Sequence, residues 1–558
     1  MTWSSRLLRV DLSSKDWEIE KIPTEILENY VGGRGLGVKL YYDLVKDATI
    51  DPLCDENPMV ITTGPVSGIA PMSSRHEVVS KSPLTRTIFD SNSGGSFSKE
   101  MRFAGYDAIV IEGSSERPVY LKIEDDYVEI LSAEYLWGKN VSYVYERLKS
   151  MGSVGCIGRA GEKKILIANI MFDGHHAAGR GGLGAIMGSK KLKAIVIKGS
   201  KKPEIKNPEE YHEAIKEIDR LLRASTPLQR GLKVFGTPIL IDIVNYLHSL
   251  PVANFRKKHA DQLGDISAES VLKRIEKSSA CFGCPIMCKK YDSQGRKMPE
   301  YETLWAFGPN CENYEFESII KASNICDDYG MDTISAGATI AAKKEIEGNC
   351  NIEEELRKMA EGESILSYGS KRYAESRGRA EASMSIKRLE LPGYHPSSLY
   401  GQALSYATSN RGGCHLRAYL VAPEIIGKPK LMRPTNPAEK AGLVVILQNL
   451  SAAVSSLVIC IFATFAVSEV EFAKLLSGVT GKKYDAEDFL RVGERIYNLE
   501  RKFNVEAGII EDVLPDRVFE VGPLTKEIFN EMLQEYYEIR GWKNGVPSEE
   551  KLRSLGII

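Results

Sequence analysis

Charge of one sign is what this chain lacks. Its 73 Lys and Arg nearly cancel 75 Asp and Glu, leaving a formal net charge of −2 over 558 residues. That balance leaves no electrostatic footprint for nucleic acid, and no such partner is expected. Low-complexity tracts and short-period tandem repeats are also missing. What remains is ordinary globular composition, 43% hydrophobic and 27% charged, in a chain long enough for about three domains. Residues 1–12 alternate like a strand and carry no signal-peptide core, so a cytoplasmic protein is expected. One run, 443–467, is apolar enough to raise a membrane question, but it contains Gln448, Asn449 and serines and follows the helix-start pair Asn436-Pro437. A buried helix, with no membrane span, is expected there. Cysteine is scarce at ten residues, which makes a local concentration of it informative.

That concentration is Cys281-Phe-Gly-Cys284-Pro-Ile-Met-Cys288. Soft thiolates spaced C-x2-C-x3-C wrap one soft centre, an iron–sulfur cluster or zinc, with a fourth ligand from elsewhere. Radical-SAM enzymes use the reverse order, and a c-type haem site needs His where Pro285 stands. Disulfides would suit a secreted chain better than this one.

The first two hundred residues read as short strands punctuated by glycine, with β-type runs at 8–12, 59–63, 108–111, 119–123 and 194–197. Near Lys201 the pattern changes. Asn207-Pro208 reads as an N-cap and first turn, and Ile215, Ile218, Leu221 and Leu222 recur at helical spacing. From there the chain is mainly helical, with another clear helix near 526–540. The reading is α+β: a β-rich domain over 1–204, then helical domains over 205–384 and 385–558.

Two glycine–arginine loops, Gly32-Gly-Arg34-Gly-Leu-Gly37 and Ala178-Gly-Arg180-Gly181-Gly-Leu-Gly184, flank a polar turn, Ser91-Asn92-Ser-Gly-Gly. Neither loop has Walker-A spacing or a clear dinucleotide fingerprint. Glycine admits close backbone approach and arginine forks onto phosphate, so together they suggest a phosphate-binding surface. Asp327-Asp-Tyr-Gly330-Met-Asp332 reads locally as a helix stop with Gly at the C-cap.

These motifs together resemble the tungsten-containing aldehyde:ferredoxin oxidoreductases. The resemblance rests on Gly-Gly-Arg34-Gly-Leu, Lys81-Ser-Pro-Leu-Thr85, the long stretch 178–194, the cysteine trio and Asp327-x2-Gly330-Met-Asp332, and it extends from Arg6 to Trp542. It implies a β-rich domain of two sheets forming a base for a tungsten (or molybdenum) bis-pterin, covered by two helical domains. It also implies a 4Fe-4S cluster and a Mg2+ ion bridging the pterin phosphates. Arg75, Arg180 and Gly181 match pterin-binding positions, and Asn92 matches a Mg2+ contact. Asp327 and Asp332 belong to the first pterin motif. The second, D-x-x-G-L-C, corresponds to Ser455-Ser-Leu-Val458-Ile459-Cys460, in which Ser455 replaces Asp and Val458 replaces Gly. Cys460 is then the implied fourth cluster ligand, with Cys311, Cys326 and Cys414 as alternatives.

Glu302 and His415 match active-site positions. The resemblance implies aldehyde oxidation to a carboxylic acid, with His415 donating to the carbonyl oxygen, Glu302 taking a proton from water, and electrons leaving through the cluster to ferredoxin or a ferredoxin-like small subunit. Lys289 and Lys290 suggest positive charge at that exit. The alternative is a low-potential reductase of aromatic acyl-CoA type, in which Cys311 would reach the metal. A homodimer is compatible with the family, although the E-x-x-H motif that carries an interface metal in it has no counterpart in 315–328.

Overall fold

A computed structural model describes residues 2–558. The first sheet holds β1 (Arg6–Asp11), β2 (Asp16–Lys21), β3 (Met59–Thr62), β4 (His76–Lys81), β5 (Ile88–Ser93) and β6 (Ala108–Glu112), in the order β2-β1-β6-β3-β4-β5. The second holds β7 (Val119–Glu124), β8 (Tyr127–Ser132), β9 (Ser153–Cys156), β10 (Ile170–Phe172), β11 (His176–Ala178) and β12 (Leu192–Lys198), in the order β11-β10-β9-β12-β7-β8. The β-type runs of the sequence are therefore β1, β3, β6, β7 and β12.

Strand alternation divides the residues between layers. Met59, Ile61, Val78, Ile109 and Ile111 share a core with Leu121, Ile123, Phe172, Ile195 and Ile197 of the second sheet. Val60, Val79 and Val110 point the other way, into the core shared with the helical region. Both faces of β3 are buried, which explains its unbroken apolar run. The terminal strands β5 and β11 lie against each other, so Asn92 and the 178–184 loop come to one edge of this base.

The helical region begins as its sequence indicates. Asn207 Oδ1 accepts the Glu210 N–H at 3.3 Å, and Pro208 opens the helix Pro208–Ala224. Gly330, with φ of 78°, ends the helix Phe316–Tyr329. The helix Lys526–Arg540 also forms.

In the apolar segment the helix is Lys440–Ser456, starting later than the Asn436-Pro437 pair implies because Glu439 adopts a left-handed conformation with no side-chain cap. Its polar groups are satisfied inside the protein. Gln448 donates to Thr408 Oγ1 at 3.0 Å and accepts from Tyr536 at 2.7 Å, while Asn449 accepts from Arg540 at 2.6 Å. Among the described residues, no helix is long and apolar enough to cross a membrane.

Candidate cofactor site

A cavity of about 310 Å³ lies between the sheet base and the helices, and a second of about 180 Å³ adjoins it. Arg75, His176, Gly179, Asp332 and Thr333 line both. Asn92, Arg180, Glu302, His415, Ser455, Ile459, Cys281 and Cys288 line the larger one, and Asp327 lines the smaller. Residues far apart in sequence thus face one space.

Glu302 sits in the first turn of the helix Tyr301–Phe307. Its Oε2 accepts the Gly393 N–H at 2.9 Å, and its Oε1 lies 3.5 Å from His415 Nε2. Burial pushes the Glu302 carboxyl up to about 8. Burial, reinforced by Arg180, Arg411 and Arg417, holds His415 well below the ordinary imidazole range. At neutral pH the pair is a protonated acid beside a neutral imidazole.

The three thiols occupy the loop of a small hairpin whose strands are Lys277–Ser279 and Lys289–Tyr291. Cys460, anchored by its N–H to Met72 O at 2.9 Å, comes to the same place. Burial and then the charge of Cys460 push Cys284 up to about 11, and burial, then Glu300, then Cys460, Cys281 and Cys284 raise Cys288. The Arg75 guanidinium contacts Cys460 on one side and donates to Asn92 Oδ1 on the other. Arg75 therefore stands where the cavity meets the thiols, two of which, Cys281 and Cys288, reach its lining. Among the described residues, no three His, Cys, Asp or Glu side chains converge as a single metal ion requires.

Other cysteines are placed differently. Cys311 is buried between helices, its Sγ donating to Ala306 O at 3.2 Å and Gly337 O at 3.4 Å. It does not line the cavity, and the expectation that it reaches a metal finds no geometric basis. Cys326 is buried within its helix. Cys414 lines the cavity wall, where Arg411 donates to its Sγ at 2.9 Å.

Several sequence expectations change. Gly32–Gly37 is no phosphate loop. Arg34 is fully buried in a two-pronged bond to Glu500 at 2.6 and 2.7 Å. A Cβ on Gly33, at φ +38°, would lie 2.2 Å from Ser455 O, so glycine serves close packing there. Lys289 and Lys290 are buried rather than displayed: Lys289 donates to His175 O, and Lys290 to Lys233 O at 2.6 Å and Ser278 Oγ at 2.8 Å. They offer no surface charge at the exit; the loop exposes Phe282 and Met287 instead.

Arg180 spends three donors on the protein, to Asp332 Oδ2 at 3.0 Å, Gly413 O at 2.9 Å and Glu390 O at 2.8 Å. Gly181 stands behind the wall, its carbonyl accepting from Ser82 at 2.6 Å. Asp327 is paired with Lys297 at 2.7 Å, and Asp332 caps the helix Thr333–Glu347 through the Ile334 N–H at 3.0 Å.

Three groups went unread in the sequence. His176 Nδ1 lies 3.7 Å from Cys281 Sγ. Arg411 and Arg417 both bond Asp90, through its carbonyl and its carboxylate respectively. Burial alone would raise Asp90, but Arg417, Arg34 and Arg411 hold it well below the carboxylate range. Burial and the Asp90 charge push neighbouring Glu77 up to about 8. In the sequence these arginines stand close together on either side of Cys414 and His415, in Asn410-Arg411-Gly-Gly-Cys414-His415-Leu-Arg417.

The polar inventory fits a large polar cofactor. Arg75 Nε, Asn169 Oδ1, Arg411 Nε, Arg417 Nε and His415 Nδ1 are buried without protein partners. Buried polar groups are nearly always hydrogen-bonded, so these donors and acceptors await a ligand rich in both. Gly179 is open on the cavity side, with only the Ala177 Cβ, at 3.7 Å, near a Cβ built there.

A thiol quartet behind an arginine-walled cavity, on a two-sheet base, is the layout of a redox protein with a buried cofactor. The family model of the aldehyde ferredoxin oxidoreductase N-terminal domain matches residues 7–199, and that of its domains 2 and 3 matches 213–557. The chain belongs to this family. It is 39% identical to the tungsten-containing aldehyde ferredoxin oxidoreductase of Pyrococcus furiosus and 40% identical to that of Thermococcus kodakarensis, in each case over 99% of this chain and 98% of the relative. An aliphatic sulfonate oxidoreductase WOR-like subunit from Pyrococcus furiosus is 30% identical over 100% of this chain and 97% of the relative. The fold is shared with the active-site complex BamBC of benzoyl coenzyme A reductase, with a TM-score of 0.87 and 23% identity over 100% of this chain and 97% of that one.

Proposed function

We propose that this chain oxidises aldehydes to carboxylic acids, aldehyde and water giving acid, two protons and two electrons. The carrying observation is the 3.5 Å Glu302–His415 pair facing a cavity whose lining includes Arg75, Cys281 and Cys288, with Cys284 and Cys460 adjoining them. Arg75, Ser455, Ile459, Asp332 and Arg180 would hold a tungsten bis-pterin, and Cys281, Cys284, Cys288 and Cys460 a 4Fe-4S cluster. Asn92, whose side chain is held by Arg75 and Glu77, would provide a contact for a Mg2+ ion. These groups supply the two-electron oxidation and its onward transfer.

The protein's own part is acid–base and positional. Neutral His415 has one N–H to offer the aldehyde oxygen as negative charge grows there. Glu302 takes a proton from water once it is ionised, and burial delays that ionisation to about pH 8. Tyr301, Tyr394, Tyr406 and Tyr419 surround Glu302 and exclude bulk water.

Electrons leave at the face exposing Phe282 and Met287, to a ferredoxin or ferredoxin-like small subunit. A reducing cytoplasmic setting suits the free thiols among the described residues. A homodimer is compatible with this surface, and the domain limits proposed are 1–204, 205–384 and 385–558. The acyl-CoA reductase reading is the weaker one, since Cys311 is not part of the cavity lining and its Sγ bonds the Ala306 and Gly337 carbonyls. Anaerobic viologen reduction with a panel of aldehydes tests the proposal: acid formation with two electrons per aldehyde supports it, and metal-replete protein inert to every aldehyde refutes it.

A further inference from the structure

The wall beside Glu302 and His415 is a run of rings. Tyr301 and Tyr394 lie 5.2 Å apart between centroids, Tyr394 and His415 5.5 Å, and His415 and Tyr419 6.1 Å. The run continues to Phe462, 6.1 Å from Tyr419, and these five rings line the cavity. Phe465 backs it, near-parallel to both Tyr419 and Phe462, at 5.6 and 5.8 Å with interplanar angles of 26° and 23°.

The rings are held in place before any ligand arrives. Tyr301 donates to Gly393 O, the Tyr419 N–H bonds His415 O at 3.1 Å, and Tyr301, Tyr394, Tyr419 and Phe465 are all buried. Along the lining the successive rings are tilted by 35°, 47°, 48° and 50°, and a rigid aromatic wall of edges and faces rewards a planar, polarisable guest over a flexible alkyl chain. Because His415 is itself one of the rings, a planar guest lying along them carries its substituent to the Glu302–His415 pair.

We infer that the cavity selects aryl aldehydes over short alkyl aldehydes, with Tyr394, Tyr419 and Phe462 as its specificity-determining faces. This inference rests on the aldehyde-oxidation reading and names its substrate class.

The test uses the anaerobically purified holoenzyme. kcat/KM for benzaldehyde should exceed that for butanal by about tenfold or more. In Phe462→Leu, which keeps apolar bulk but removes the ring, that ratio should fall several-fold, with iron content checked because Cys460 is near in sequence. Independently, calorimetry should show benzoate binding about tenfold more tightly than butanoate. Equal or reversed selectivity, or a ratio unmoved by Phe462→Leu, overturns the inference. Turnover of neither aldehyde by metal-replete protein, with the rest of the aldehyde panel also inert, refutes the oxidation reading instead, and the benzoate-to-butanoate comparison then decides the inference alone: tighter benzoate sustains an aryl-selective site, equal binding removes it.

Discussion

His415 Nε2 lies 3.5 Å from Glu302 Oε1, and the two side chains are only 11% and 17% exposed. Their protonation is displaced in opposite directions: the carboxyl is pushed up to about 8, while the imidazole is held well below its ordinary range. Both shifts come chiefly from burial, which favours whichever form is uncharged.

A pH dependence follows from the sign. A raised carboxyl pKa means that the proton stays on Glu302 below about 8, and only the ionised form can act as base. kcat/KM should therefore climb about tenfold per pH unit through the neutral range and level off above about 8. Glu302→Gln should lose that limb and about 10²–10⁴ in rate. A native profile flat between pH 6 and 9 would remove Glu302 from the base role.

The thiol quartet separates Cys460 from Cys311. Cys460→Ser should lower bound iron and the visible absorbance of a cluster, whereas Cys311→Ser should leave iron intact, since the Cys311 thiol bonds the Ala306 and Gly337 carbonyls. The opposite pattern would reassign the fourth ligand.

Two glycines should respond in different ways. Gly33→Ala forces a Cβ to 2.2 Å from a backbone oxygen at φ +38°, and expression as folded protein should fail or the melting temperature drop sharply. Gly179→Ala meets no protein atom closer than 3.7 Å, so it should fold normally and lose pterin and tungsten because the added methyl enters the cavity. Full cofactor content in Gly179→Ala would show that the cavity is not the pterin site.

Arg180→Lys keeps the charge but cannot span Asp332, Gly413 and Glu390 at once. A loss of about 2–4 kcal/mol is expected from leaving buried acceptors unpaired, read as faster thermal inactivation. Unchanged inactivation would mean that the clamp contributes little.

The parts of the site visible in the sequence were those with local signals. Three thiols within one hairpin loop announce themselves by spacing, and Asn207-Pro208 caps the helix that follows it. Cys460 has no local signal and was reached through the family resemblance alone. Glycine misled at 32–37 because close packing and phosphate binding both demand a missing Cβ; only the approach of Ser455 O tells them apart. Lys289 and Lys290 looked like surface charge, yet the carbonyls that take them belong to His175 and Lys233, brought close by tertiary folding. The Asp90–Arg417 bond links positions 327 residues apart. Such pairings are invisible to any local pattern.

The central claim is that these residues hold a heavy-metal pterin centre and an iron–sulfur cluster together. Metal analysis of anaerobically purified protein tests it most directly. About one tungsten or molybdenum and about four iron per chain are expected; zinc bound at the cysteines, with neither heavy metal nor iron, would contradict it.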